Sequence, residues 1–283
     1  MFNGYNWIKE KLKIERKIIN SKPSLPFTFK SKELLKVIPK DAFWGGYYRL
    51  GTLGGGNHFL ELHTIEDIIS DEECRKLGCY KGQVIFIMHT GSNVFSKRVD
   101  NYYSIRFQKE NLNRKLNKNF RKFLYHLNDF NLLRLFFRLN LFFRNVFKGI
   151  PVDTPEGKRF LIVFYSALNY SFVNREVISW FIKKTLEKTV KKEFMFELIS
   201  DTIHESIDYE NFNDGYFWVH RNGATKVECL NNSDKQLLLI PSCRSGPSFL
   251  CIPHKKLDES RYSVNHGVGR LLTKKEAKER FYN

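Results

Sequence analysis

Paired cysteines are missing from this sequence. Five cysteines (Cys74, Cys79, Cys229, Cys243 and Cys251) occur in 283 residues, and no two form a C-x-x-C pair. An odd number without such pairs excludes a disulfide framework and a zinc ribbon. Long hydrophobic runs are also missing: no uncharged apolar stretch approaches the ~18–20 residues that a membrane span needs. The residues after Met1 are polar and helical in character, unlike a secretory leader. These absences predict a reducing, cytoplasmic compartment and no transmembrane segment. Acidic charge is scarce as well: 30 Asp and Glu against 47 Lys and Arg leave a net charge of +17. That balance favours polyanionic partners such as RNA, DNA, nucleotides or an anionic membrane surface. The joint richness in Lys, Asn, Ile and Phe is also what an AT-biased genome produces.

There is no internal repeat, low-complexity linker or clear domain boundary. Residues 1–45 read as a basic helix, a loop and a second short helix, "KELLKVI". Helical periodicity covers 65–78, with Gly78 as the stop. "GQVIFIMHTGS" (82–92) reads as a buried strand that delivers polar groups at its end. Residues 106–149 read as a long, Phe-rich, basic helix with Arg134 and Arg138 on one face. Three roles are open to it: a core helix with solvated arginines, an RNA-binding surface, or a membrane-surface helix. A further helix is predicted over 153–184, with Pro155 in its first turn after a capping Asp153 or Thr154. Residues 195–270 alternate short strands with polar loops. Helices and strands without a steady βα rhythm indicate an α+β fold.

Chemistry-bearing residues gather at glycines. "GTLGGGNHFLE" (51–61) runs three glycines into Asn57 and His58, with Glu61 three residues on. It is neither a Walker A loop nor a dinucleotide-binding fingerprint. Glycines let backbone N–H groups approach an anion, Asn57 adds a neutral donor and acceptor, and Glu61 suits a ribose hydroxyl or an imidazole N–H. A strained turn between strands is the plain alternative. His58, His89, His204 and His266 each lie near a Gly or Ser. Imidazoles from separate strand ends can converge on a metal ion, although none lies in a local motif such as H-E-x-x-H. Taken one at a time, each reads as an ordinary loop or core histidine. "HGVGR" (266–270) and "HRNGAT" (220–225) are two further basic glycine loops.

In order along the chain, these segments resemble the RtcB-type RNA ligases, from about Leu50 onward. "GTLGGGNHFLE" is nearly that family's signature. "MHTGS" is similar to H-x-G-S-R, and "PVDTPEGKRFLIVFYSALNYSFVNR" to P-x-D-S-P-E-G with the helix after it. "HRNGAT" sits at H-R-K-G-A-T, "PSCRSGPS" at P-G-S-M-G-x-x-S and "SVNHGVGR" at S-x-x-H-G-A-G-R. The resemblance implies one RtcB-like domain over 1–283, with 1–49 an atypical helical lead-in and 50–283 the family core. It implies a GTP- and Mn²⁺-dependent ligase that joins RNA 3′-phosphate or 2′,3′-cyclic phosphate ends to 5′-hydroxyl ends. His266 corresponds to the guanylylated nucleophile, and His58, His89 and His204 to metal ligands. Asn57, His58, Phe59, Leu60, Glu61, His204, Glu205, Pro241, Ser242, Cys243, Arg244, Ser248, His266, Gly267, Val268 and Gly269 correspond to GTP-contacting positions.

The departures are specific. The family's D-x-x-C metal-binding segment has no counterpart before the glycine run. "DEEC" (71–74) has the spacing but falls inside a predicted helix. Asn93 and Asn222 stand where the family has Arg and Lys, the "PSCRSG" loop lacks its first Gly, and the guanine-contacting C-terminal Lys has no counterpart. The expectation is a truncated or split ligase whose D-x-x-C segment is a separate polypeptide, or an impaired relative that binds RNA or nucleotide. An archease-type activator is a further implied partner.

Overall fold

A computed structural model describes residues 34, 36–103, 152–190, 194–227, 237–242, 246–253, 257, 259–269, 272, 276 and 279–280. The chain divides into two compact units. One comprises Met1–Arg75 and Cys79–Lys192; the other comprises Lys76–Gly78 and Glu193–Asn283. The architecture is α+β, and the described strands form four two-stranded antiparallel sheets. The helix expected over 106–149, with Arg134 and Arg138, lies outside the described residues, as does the chain before residue 34.

In the first unit, α1 is Lys40–Arg49, β1 Phe59–Thr64, α2 Asp71–Lys76 (all but its last residue), β2 Val84–His89, α3 residues 93–103 and α4 Pro155–Val190. Helix α4 starts as its sequence predicts. Thr154 caps it, accepting from the Gly157 N–H through Oγ1 at 3.1 Å, and Pro155 takes the first position. Val163, Ala167, Tyr170, Val177 and Phe181 recur along one stripe. They pack with Ala42, Phe95, Val99 and Tyr103 in one cluster and with Leu50 and Val173 in another.

Helix α1 lies beyond the short helix "KELLKVI" that the sequence predicts, and it carries Gly45-Gly46 at its centre. Each glycine costs about 1 kcal/mol against alanine in a helix interior. Packing overrides that cost. A Cβ at Gly45 would stand 2.7 Å from Arg98 Nη1, and one at Gly46 would stand 2.9 Å from the Phe95 ring. Ala42, Gly45 and Gly46 therefore face inward, and the large aromatics of α1 are turned outward.

Helix α2 is shorter than the pattern suggested. Ile65 is held in sheet-like pairing, its N–H donating to Gln83 O at 3.0 Å and its carbonyl accepting from Gly82 at 2.8 Å. Helix can begin only after that pairing ends. Cys74 lies inside α2, and its thiol donates to Cys79 O at 3.1 Å. Strand β2 is half-buried rather than buried, with Ile87 its one buried residue, and among the described residues β1 is its one partner strand.

The second unit carries β3 Glu205–Phe212, β4 Gly215–Asn222, β5 Ala224–Lys226, β6 Leu238–Ile240, β7 Phe249–Cys251 and β8 Ser263–Asn265. β3 pairs with β4, β5 with β8 and β6 with β7. Among the described residues, buried apolar groups are few here: Val227, Leu237 and Leu238. A polar network on the inner face of the hairpin supplements them. Arg221, 4% exposed, donates to Glu210 at 2.7 and 2.9 Å, Asp208 at 3.1 Å, Ser263 Oγ at 3.0 Å and Arg261 O at 3.0 Å. These bonds use all five guanidinium donors. The basic group of "HRNGAT" is thus a structural tie and has no donor left for a phosphate.

Candidate active site

The glycine loop of the first unit is held from below by amides. Asn174, fully buried in the apolar stripe of α4, accepts from the Gly51 N–H at 2.7 Å. It donates to Thr52 O at 3.1 Å and Gly91 O at 3.2 Å. Thr90 Oγ1 donates to Leu53 O at 2.6 Å, and Asn93 Nδ2 to Thr52 O at 3.1 Å. Arg175 donates to Thr90 O at 3.1 Å and lies over the Phe172 ring. The loop before β1 and the loop after β2 are therefore fastened to each other and to α4.

Within that frame the glycines differ. Gly54 has φ +89°, and a Cβ there would overlap Asn93 Oδ1 and stand 2.7 Å from His58 Nδ1. It is required by packing and by backbone conformation. A Cβ at Gly55 would meet nothing within 4 Å, and Gly55 does not carry a positive φ. Space over Gly55 is open to a ligand.

The antiparallel register sets His89 opposite Phe59, so His58, just before β1, comes near it. The His58 and His89 ring centroids are 5.9 Å apart and nearly perpendicular. His89 Nδ1 lies 3.3 Å from Asn57 O, and its ring is 5.4 Å from Phe59. His58 Nδ1 is buried with no hydrogen-bond partner among the described residues. A buried, unsatisfied imidazole nitrogen is costly unless it meets a ligand, and a cation would satisfy it. Leu60 and Glu61 continue along β1, where Glu61 Oε2 pairs with His63 Nε2 at 3.0 Å.

The second unit brings together another group. Gly223 N–H donates to His204 O at 2.8 Å, and His266 N–H donates to Gly223 O at 3.1 Å. One glycine therefore bridges the two histidine loops. The His204 and His266 rings stack at 3.7 Å with 17° between planes. Gly267 lets the next loop close in, since a Cβ there would stand 2.9 Å from Pro241 O. Ser248 Oγ accepts from Ser242 N–H at 3.2 Å, shaping the loop after β6. Glu205 opens β3 and is exposed, while Val268 and Gly269 follow Gly267. Cys243 and Arg244 lie outside the described residues.

Sequence reasoning gave no role to Asn174, Asn93 or Thr90. The signal for Asn174 was a polar residue at a core position of an otherwise apolar helical stripe. Such a residue is kept by the hydrogen bonds it makes. Asn93, which departs from the expected arginine, secures the glycine loop instead.

Histidines at the ends of antiparallel strands, beside glycine loops, define an α+β chain with imidazoles placed where a metal ion could be held. The profile of the family described as "tRNA-splicing ligase RtcB" matches residues 4–283. The chain belongs to the RtcB family. It is 27% identical over 294 aligned positions to the tRNA-splicing ligase RtcB of Nanoarchaeum equitans, covering 98% of this chain and 54% of that protein. Against the tRNA-splicing ligase RtcB of Thermococcus kodakarensis the identity is 27%, covering 83% and 47%. Against that of Pyrococcus horikoshii it is 24%, covering 99% and 30%. The chain spans about half the length, or less, of these curated relatives. Among the described residues, no helix is long and apolar enough to cross a membrane.

Proposed function

We propose that the chain acts in GTP- and Mn²⁺-dependent RNA ligation, joining 3′-phosphate or 2′,3′-cyclic phosphate ends to 5′-hydroxyl ends through His266. Family membership supports the reaction class. The observation that carries the residue assignment is the fixed His204–His266 stack, held through Gly223. In this reading a neutral His266 nitrogen attacks the α-phosphorus of GTP; a P–N bond forms as the bond to pyrophosphate breaks.

The reading assigns His58, His89 and His204 to metal binding. The partnerless Nδ1 of His58 fits a cation. A bound Mn²⁺ supplies neutralisation of charge on the phosphoryl oxygens. Three imidazoles without a carboxylate are a weak set for this hard ion, which favours oxygen. Asn57, Phe59, Leu60, Glu61, Glu205, Pro241, Ser242, Cys243, Arg244, Ser248, Gly267, Val268 and Gly269 are assigned to GTP. Gly55 leaves room for a nucleotide to approach the backbone.

Incubation with α-labelled GTP and Mn²⁺ tests the reading. Wild-type protein should take up label that survives denaturation, and His266→Ala should take up none. Absence of an adduct with Mn²⁺, Mg²⁺, Co²⁺ and Zn²⁺ alike would exclude catalysis by this chain alone.

A further inference from the structure

Helix α1 is inverted relative to an ordinary surface helix. It buries Ala42, Gly45 and Gly46 and exposes Phe43 (39%), Trp44 (52%) and Tyr48 (73%). Trp44 and Tyr48, one turn apart, are near-parallel, with centroids 6.2 Å apart and 28° between planes. Phe43 and Tyr47 set their edges against this pair. Leaving such rings in water forgoes the stabilisation that burial would give them, so an aromatic run with no function is disfavoured. The fold forces the arrangement, because only the glycine face fits against Phe95, Arg98 and Tyr170.

Cations flank it. Lys40 stands on this face one turn before Trp44, Lys36 lies just ahead of the helix and Arg49 ends it; all three are exposed, and Asp41 is the one carboxylate between them. None of the three is ion-paired among the described residues. The helix ends at Arg49, two residues before the glycine loop that the proposed function assigns to nucleotide. Aromatic faces beside cations suit one polyanion in particular, a strand of unpaired nucleotides, whose bases stack and whose phosphates seek Lys and Arg. A second aromatic face, Tyr209, Tyr216 and Trp218 on the β3–β4 hairpin, has neither Lys nor Arg on its own side of the two strands, Arg221 facing the other way.

We infer that the Phe43–Tyr48 face of α1 is a stacking platform for unpaired RNA nucleotides. The inference rests on the reading of the chain as acting on RNA, and it adds a binding surface outside the histidine loops. The platform prefers a single strand over a blunt duplex, since paired bases offer no free faces.

The test is titration of the full chain with labelled oligo(U) and a blunt RNA duplex over a salt series. Trp44→Ala/Tyr48→Ala should lose about tenfold in single-strand affinity and lose the preference over duplex. Lys36→Gln/Lys40→Gln/Arg49→Gln should give a shallower salt slope. Melting curves unchanged from wild type would confirm that both variants fold. Wild-type failure to bind the single strand, or equal affinity of the aromatic variant, overturns the inference. So does a wild-type dimer that the aromatic variant abolishes without change in RNA affinity, which would make the face an interface between copies. Label uptake at His266 should be retained in both variants. Absence of labelling in wild-type protein, with single-strand binding intact, would defeat the ligase reading while leaving the platform standing.

Discussion

Gly54 and Gly55 are neighbours with opposite reasons to be glycine. Gly54 is enclosed by Asn93 and His58 at a positive φ, whereas Gly55 faces open space. Gly54→Ala should therefore destabilise the protein and displace His58, lowering its denaturation midpoint. Gly55→Ala should fold with wild-type stability yet reduce labelling by GTP, because the added methyl occupies the ligand's approach. Equal labelling by Gly55→Ala and wild type would place the nucleotide elsewhere. Asn174 gives a second residue-scale expectation. Asn174→Leu keeps the volume but strands the Gly51 N–H and the Gly91 carbonyl, each costing about 1–3 kcal/mol. Urea unfolding should show a lower midpoint with an unchanged slope.

At the scale of elements, the β3–β4 hairpin depends on charge more than on apolar burial. Burial pushes the Glu210 carboxyl up, but hydrogen bonds from Arg221 and Lys226 outweigh it and hold the group below its ordinary value. A carboxylate lowered on folding contributes stability above its unfolded pKa, about 4.3, and that stability is lost as pH falls through the folded value. Wild-type protein should thus weaken on acidification below about pH 5, and Glu210→Gln should flatten that limb. Near-UV circular dichroism against pH reads it through Trp218 on β4. Arg221→Ala should cost about 3 kcal/mol, since it takes the cation from Asp208 and leaves Glu210 with Lys226 alone. Helix α1 and helix α4 contrast in legibility. The cap and stripe of α4 are local and could be read from "DTPEGKRF" onward. The role of the glycine pair in α1 shows only once Phe95 and Arg98, about fifty residues later, are seen to occupy the space beside it.

For the whole molecule, the net charge of +17 sets an electrostatic expectation. RNA affinity should fall linearly on a log–log plot against salt, with a slope of about −0.7 per phosphate contacted on a single strand. A salt-independent affinity would assign the basicity to composition rather than to binding. The α+β class was evident from the irregular succession of patterns. The division into two compact units was not, because no Pro-, Gly- or Ser-rich linker marks the boundary near Lys192.

The sequence alone determined the family and the candidate residues, because motifs such as "GNHFLE" and "NHGVGR" are contiguous and keep their meaning without coordinates. It also determined the start of α4, since capping is a matter of neighbouring residues. Tertiary structure alone decided which glycine is enclosed and which is open, that Asn174 fastens the loops, that Arg221 is spent on carboxylates, and that α1 turns its aromatics outward. Each of these depends on atoms far apart in the chain, and steric fit between such atoms leaves no local pattern to read.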